Sequence, residues 1–255
     1  MNRYPTAISS YTQLLKQSFR LHYLTLKHTI FFIILLIAVK YFSVVLSLFI
    51  TSRIILDSFY FIATLLAIYL ASGALLAAHE SFMDRSKSFV DIFSEVKKNI
   101  VNIYATFFLY IAGSVAMWYV ARFFNLAIEK ILAHEFSAVH GFAFIISLTL
   151  IIIFAAMFFF SYPLSVIDSK QIHKTFYNSL VLSDKSKFGI FVLFFILMAI
   201  DVLISPTSLE EHFLSTYHLG MVFDFVVLSV MLPLFINLLL LTIHDAKLQM
   251  SEEEG

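Results

Sequence analysis

The sequence contains no cysteine, only 6 glycines and 4 prolines among 255 residues, and few charges. Without cysteine the chain has no disulfide, no thiolate nucleophile and no cysteine-ligated metal. Scarce glycine and proline, with a high apolar content, exclude a long disordered chain. Charged residues make up 13%, and 17 basic residues are balanced by 17 acidic ones. This balance gives no basic excess, and it therefore argues against nucleic acid as a partner.

Apolar residues are what the chain has in abundance, at 60%, and phenylalanine alone accounts for 30 positions. A soluble domain is typically about 45–50% apolar and about 25% charged. One small domain cannot bury apolar surface on this scale away from water. The composition therefore indicates a membrane protein.

Six segments approach or exceed the roughly 20 apolar residues that a helix needs to cross the hydrocarbon core. They run over residues 29–50, 59–78, 100–124, 141–167, 188–205 and 221–244. Continuous runs predict helices, because a backbone in lipid must satisfy its own hydrogen bonds. We therefore expect an all-α polytopic protein with one six-helix domain over residues 1–247 and a short acidic tail over 248–255.

The basic residues are distributed unevenly between the connecting segments. Thirteen lie in the N-terminal arm, the second and fourth connections and the tail, whereas three lie in the first and third connections or at the adjoining end of the third span. Because basic residues are enriched in cytoplasmic loops, both termini are predicted to be cytoplasmic, with the spans arranged as three hairpins.

Each cytoplasmic segment before an odd-numbered span has an apolar stripe at helical spacing, beginning with a predicted interfacial helix at about residues 7–27. Such stripes are typical of amphipathic helices at the membrane surface. The unit of interfacial helix, span, short loop and span would then occur three times. The stripes comprise Ile8, Tyr11, Leu15 and Phe19; Phe82, Phe89, Phe93, Val96 and Ile100; and Ile172, Phe176 and Leu180.

The segment Tyr162-Pro163-Leu164-Ser165-Val166-Ile167-Asp168, followed by Thr175-Phe176-Tyr177-Asn178-Ser179-Leu180, is the most characteristic stretch. With the six spans, it resembles the YciC-like inner-membrane proteins of bacteria and the related membrane domain of some glycerophosphodiester phosphodiesterases. The resemblance implies a location in the bacterial cytoplasmic membrane. It carries over no catalytic residue, because that membrane domain is not the phosphodiesterase.

Charges inside predicted spans are costly and need partners. Lys40 in the first span and Asp201 in the fifth lie at matching depth, as do Arg122 and Asp224 near the outer ends of the third and sixth. We predict two structural ion pairs, Lys40 with Asp201 and Arg122 with Asp224. Independent snorkelling, and a substrate or proton pathway, are the alternative interpretations.

Two outer connections contain histidine beside carboxylate, a combination that suits divalent metals. They are His134-Glu135 with His140, and Glu210-Glu211-His212 with His218. A spacing of six places the two histidines off one helix face, so neither a metal site nor a cofactor is predicted.

The sequence contains no phosphate-binding loop, no dinucleotide-binding glycine motif and no nucleophile-elbow motif. The preferred hypothesis is a non-enzymatic accessory or scaffold protein that acts through membrane lipids and a protein partner or a second copy of itself. The alternative is a transporter or lipid-handling permease that uses polar groups near the midplane.

Overall fold

A computed structural model describes residues 4–85, 87–131, 137–168, 171–204 and 213–253. These residues form nine α-helices and no strand, in agreement with the predicted all-α class. The helices are α1 (Tyr11–Ser47), α2 (Arg53–Phe82), α3 (Phe89–Lys98), α4 (Ile100–Ile131), α5 (Ser137–Met157), α6 (Ser161–Ile167), α7 (Ile172–Lys185), α8 (Lys187–Ile204) and α9 (Phe213–Glu253).

Five segments of the described chain are long and apolar enough to cross a membrane. They coincide with predicted spans one, two, three, four and six, so a multi-pass membrane protein is confirmed at this level. The predicted fifth span coincides with α8 but ends at residue 205, outside the described residues. The five segments are Tyr11–Ser47, Arg53–Phe82, Ile100–Phe123, Leu148–Ile167 and Val222–Glu252.

Internal contacts divide the chain into two compact units. The first unit comprises Met1–Ile100 with Phe191–Gly255, and in it α1 packs along both α2 and α9. Ile33, Ile37 and Tyr41 of α1 form a buried cluster against residues that include Leu228 and Leu232 of α9. This packing fixes which face of α1 points toward α9.

Close contact between α1 and α2 depends on a glycine. A Cβ at Gly73 of α2 would collide with the ring of Phe32, which is fully buried on α1. The first and second membrane helices can therefore approach closely only because this position has no side chain.

The second unit, Val101–Ile190, holds most of α4, all of α5 to α7 and the beginning of α8. A glycine again allows two helices to approach closely, because a Cβ at Gly113 of α4 would collide with Phe154 of α5. The Tyr110 hydroxyl donates to the carbonyl oxygen of Ala155 at 3.3 Å. The Ser179 hydroxyl of α7 donates to the carbonyl oxygen of Met157 at 3.3 Å, which ties α7 to the end of α5.

The predicted fourth span is not one continuous helix. The helix α5 ends at Met157, and α6 begins at Ser161 after three phenylalanines. The Ser161 hydroxyl donates to the carbonyl oxygen of Phe158 at 2.7 Å. Pro163 lies in the first turn of α6, where a missing N–H costs little. The proline therefore belongs to the start of a helix.

The predicted interfacial helix at about 7–27 is not separate, because α1 continues from Tyr11 to Ser47 without a break. The other two predicted surface segments do form short helices, α3 and α7. In α7, however, the buried residues are Thr175, Ser179, Leu182 and Ser183, whereas Leu180 of the predicted stripe is exposed. Small hydroxyl side chains thus face the protein. Part of the predicted acidic tail is helical, since α9 continues to Glu253.

Candidate functional site

A charged contact joins two of the long apolar helices, α1 and α9. The Lys40 Nζ atom lies 2.6 Å from Oδ2 of Asp224, and the Tyr41 hydroxyl donates to the same oxygen at 2.9 Å. Asp224 is buried, with 6% of its side chain exposed, whereas 32% of the Lys40 side chain is exposed. The ammonium also lies 5.5 Å from the centre of the Tyr41 ring. One carboxylate thus receives a charged donor and a neutral donor from adjacent residues of α1.

This arrangement differs from both predicted ion pairs. The partner of Lys40 is Asp224 rather than Asp201, and Asp201 is exposed on α8. In the second unit, the guanidinium of Arg122 lies 5.4 Å from the centre of the Trp118 ring, a cation–π contact. Depth along a span can be read from a sequence, but rotation about the helix axis is set by packing. The α1–α9 packing turns Lys40 and Asp224 toward each other.

A second polar contact joins the same two helices where Thr25 meets Asn237. The Thr25 hydroxyl donates to Oδ1 of Asn237, and Nδ2 of Asn237 donates to the carbonyl oxygen of Ser18 at 2.9 Å. Thr25, Ser18 and Asn237 are all buried. Hydrogen bonds of this kind hold membrane helices together where lipid offers no competing partner.

Pro233 lies one turn before Asn237 within α9. A proline lacks the N–H that would bond the carbonyl of Ser229, four residues earlier. The helix nevertheless continues to Glu253, and the Ser18 hydroxyl donates to the carbonyl oxygen of Leu234 at 3.5 Å. Side chains of α1 thus supply polar contacts to the stretch that follows the proline.

The N-terminal arm is attached to the far ends of α2 and α9. The Tyr4 hydroxyl and Nδ1 of His79 are hydrogen-bonded at 2.7 Å, and the Tyr4 ring stacks on His244 with centroids 4.5 Å apart. Nε2 of His244 lies 2.9 Å from the carbonyl oxygen of Pro5, and the Ser9 N–H donates to Oδ1 of Asp245 at 2.7 Å. Residues 4–9 therefore lie beside the last turns of α2 and the C-terminal part of α9.

A charged cluster follows the end of α2. The buried Glu80 carboxylate lies 3.2 Å from Nζ of Lys87 and 4.0 Å from Arg85, and Lys87 also pairs with Glu95 of α3. The hydrogen bond to Glu95 is the main cause that raises the pKa of Lys87. These contacts join α3 to α2.

The start of α3 is capped by a reciprocal pair. The Ser88 hydroxyl donates to Oδ2 of Asp91 at 2.6 Å, and the Ser88 N–H donates to the same atom at 3.2 Å. The Asp91 N–H donates back to the Ser88 hydroxyl oxygen at 3.2 Å. These bonds stabilise the carboxylate and lower the pKa of Asp91.

Neither the charged cluster nor the cap was predicted as a site, although the spacing of Ser88 and Asp91 resembles a capping box. Within the described ranges no group of three or more His, Asp or Glu side chains could hold a metal. The side chains of His134, His140, His212 and His218, which were weighed as metal ligands, lie outside the described residues.

The comparisons with known proteins found no match: no protein-family model, no curated protein and no solved structure matches this chain. What the fold and the polar contacts define is an all-helical, multi-pass membrane protein whose first and last long helices are joined by buried polar contacts.

Proposed function

We propose that the chain is a non-enzymatic integral protein of the bacterial cytoplasmic membrane, related to the YciC-like proteins, that acts as an accessory or scaffold. The observation that carries this proposal is the direct contact of Lys40 and Tyr41 with Asp224. A charged side chain in a membrane span is costly, so the contacts that it makes indicate its role. Here the acidic and basic groups neutralise each other and hold two helices together.

The lengths of α1 and α9 support a scaffold. They contain 37 and 41 residues, which correspond to about 55 Å and about 60 Å at about 1.5 Å per residue. The hydrocarbon core is about 30 Å thick. A large part of each helix therefore extends beyond the membrane, where it offers a rigid surface to a partner.

The contact between Ser9 and Asp245 supports the predicted topology. Chain ends that touch lie on the same side of the membrane, and this requires an even number of crossings. Five segments are long and apolar enough to cross, and α8 is the natural sixth. The basic residues of the N-terminal arm favour the cytoplasmic side.

The absence of cysteine allows a direct test of this topology. Single cysteines at Ser251, near the end of α9, and at Asp57, near the start of α2, would be labelled with a membrane-impermeant maleimide. In intact spheroplasts we expect Asp57→Cys to react, and Ser251→Cys to react only after permeabilisation. Labelling of Ser251→Cys from outside would overturn the topology.

The scaffold proposal is tested by photo-crosslinking and by transport. The helix α1 has a polar half, residues 11–28, and an apolar half, residues 29–47. A crosslinker at Tyr23, which is exposed on the polar half, is compared with one at Phe42, which is exposed on the apolar half. We expect the Tyr23 position to capture one membrane or cytoplasmic protein in fixed stoichiometry, and the Phe42 position to capture lipid. Solute flux through the wild-type protein in proteoliposomes would instead establish the permease alternative, if the Lys40→Met variant abolished that flux.

A further inference from the structure

The polar half of α1 forms one wall of an open surface groove, with cations and amides on it. The described residues that line the groove are Gln13, Lys16, Gln17, Arg20 and Leu21, all on α1, and its volume is about 580 Å³. The residues recur every three or four positions, so they share one face of the helix. The groove is large enough for a phosphate with its attached glycerol.

Among the described residues that line this groove, the charge is of one sign. Lys16 and Arg20 are one turn apart and exposed, and no ion pair joins either of them to another described residue. Like charges at this spacing repel and destabilise a helix slightly. Gln13 accepts a hydrogen bond from the Ser10 N–H through Oε1, at 2.9 Å, which orients its amide group beside the cations. An anion bound here would remove the repulsion.

Exposed aromatic side chains indicate the depth of the groove. Phe19 is 59% exposed and Tyr23 is 79% exposed, and both lie on the same stretch of α1 as Arg20. Large aromatic side chains that no protein surface covers are typical of the membrane–water interface. The groove therefore lies at the level of the lipid headgroups.

We propose that this groove binds the phosphate headgroup of an anionic glycerophospholipid from the adjoining leaflet. Lys16 and Arg20 contact the phosphate, the Gln13 amide contacts a headgroup oxygen, and Leu21 with Phe19 packs against the glycerol and upper acyl chain. The inference rests on the proposed function, because it requires this half of α1 to emerge from the membrane at the lipid surface.

The test measures binding of phosphatidylglycerol to the full chain in a mild detergent by native mass spectrometry. The variant Lys16→Gln with Arg20→Gln is compared with Lys97→Gln plus Lys98→Gln, which removes the same charge from α3 outside the groove. Each basic residue near a charged surface contributes about fivefold, so we expect the groove variant to weaken binding about thirtyfold. The α3 variant should retain wild-type affinity.

Further measurements identify the ligand and control for misfolding of the groove variant. The charge-preserving variant Lys16→Arg with Arg20→Lys should bind like wild type, and phosphatidylcholine should bind much more weakly. Equal loss in the groove and α3 variants would overturn the inference, because any surface charge would then suffice. Competition by millimolar inorganic phosphate would also overturn it, because the site would then recognise a free anion.

The two proposals fail separately. Unchanged lipid binding in the groove variant, with a stoichiometric protein partner still captured at Tyr23, would overturn only the lipid site. Solute flux that depends on Lys40 would overturn the scaffold proposal. Lipid binding at Lys16 and Arg20 would then be decided by the mass-spectrometry measurement alone.

Discussion

The contact between Lys40 and Asp224 predicts that removing either side chain destabilises the protein, and that the loss of the lysine costs more than the loss of the aspartate. Lys40→Met leaves a buried carboxylate with only the Tyr41 hydroxyl, and removing one member of a buried pair costs about 3–5 kcal/mol. Because Lys40 is one-third exposed, we expect the low end of this range, about 3 kcal/mol. Asp224→Leu leaves a lysine whose long stem can carry its charge toward water, so we expect a smaller loss of about 1–2 kcal/mol.

The double variant is the decisive measurement. With both charges replaced by apolar side chains, no buried charge is left unpaired, and we expect stability within about 1 kcal/mol of wild type. The coupling energy between Lys40 and Asp224 is therefore about 4–5 kcal/mol, the sum of the two single losses. It is measured by unfolding the purified proteins with sodium dodecyl sulfate in mixed micelles and following helicity by circular dichroism. Lys27→Met, at an exposed position of α1, is the matched control and should change little.

Tyr41 gives an independent check on the same carboxylate. Tyr41→Phe removes one hydrogen bond to a charged acceptor, which is worth about 1.5–3 kcal/mol, whereas Tyr23→Phe, at a highly exposed position, should have no effect. Additive losses in the Lys40 and Asp224 double variant would refute the pairing. A Tyr41→Phe protein as stable as wild type would refute the role of the hydroxyl.

Three further predictions concern the packing, the turn and the cap. Gly73→Ala should lower stability in detergent by about 1–3 kcal/mol through overpacking against Phe32, and Phe32→Leu should restore part of it; an unaltered melting temperature would contradict this close contact. Asp84 has a φ of 56° after α2, so the free energy of unfolding of Asp84→Val should be lower than that of Asp84→Gly by about 1–2 kcal/mol. Equal stability of the two variants would exclude backbone strain. Because the pKa of Asp91 lies below its ordinary 3.8, its capping contribution is present above that pH and is lost as the pH falls further. The protection factors of the α3 amides, which correct for the intrinsic pH dependence of exchange, should therefore fall below about pH 4, and Ser88→Ala should remove this step.

Sequence reasoning located the membrane helices but not their partners. Apolar length predicted five segments that the structure confirms, because hydropathy depends only on local composition. The depth of Lys40 correctly marked it as a residue that needs a partner. Its partner could not be predicted, because Asp201 and Asp224 differ in which neighbour their helices pack against, and one sequence does not contain that information.

Helix ends were the other source of error. The polar half of α1 was predicted as a separate surface helix because an apolar stripe at helical spacing, which includes Leu15 and Phe19, lies among polar and basic residues. The structure instead extends the membrane helix outward without a break, and nothing in the backbone prevents this, since no glycine or proline lies between Tyr11 and Ser47. The interruption of the predicted fourth span between Met157 and Ser161 was likewise not predicted, because no proline or glycine lies in that stretch. Composition predicts where a helix can enter lipid better than where it stops.

The two polar contacts between α1 and α9 have a joint consequence that neither has alone. They are separated by 15 positions on α1, from Thr25 to Lys40, and by 13 on α9, from Asn237 back to Asp224. Apolar side chains alone would tolerate sliding by one turn, about 5.4 Å, with modest loss. Such a shift would separate both polar pairs at once and leave a buried carboxylate and a buried amide without partners. The polar residues therefore fix the register of the first long helix against the last, which brings Ser9 to Asp245 and holds the chain ends together.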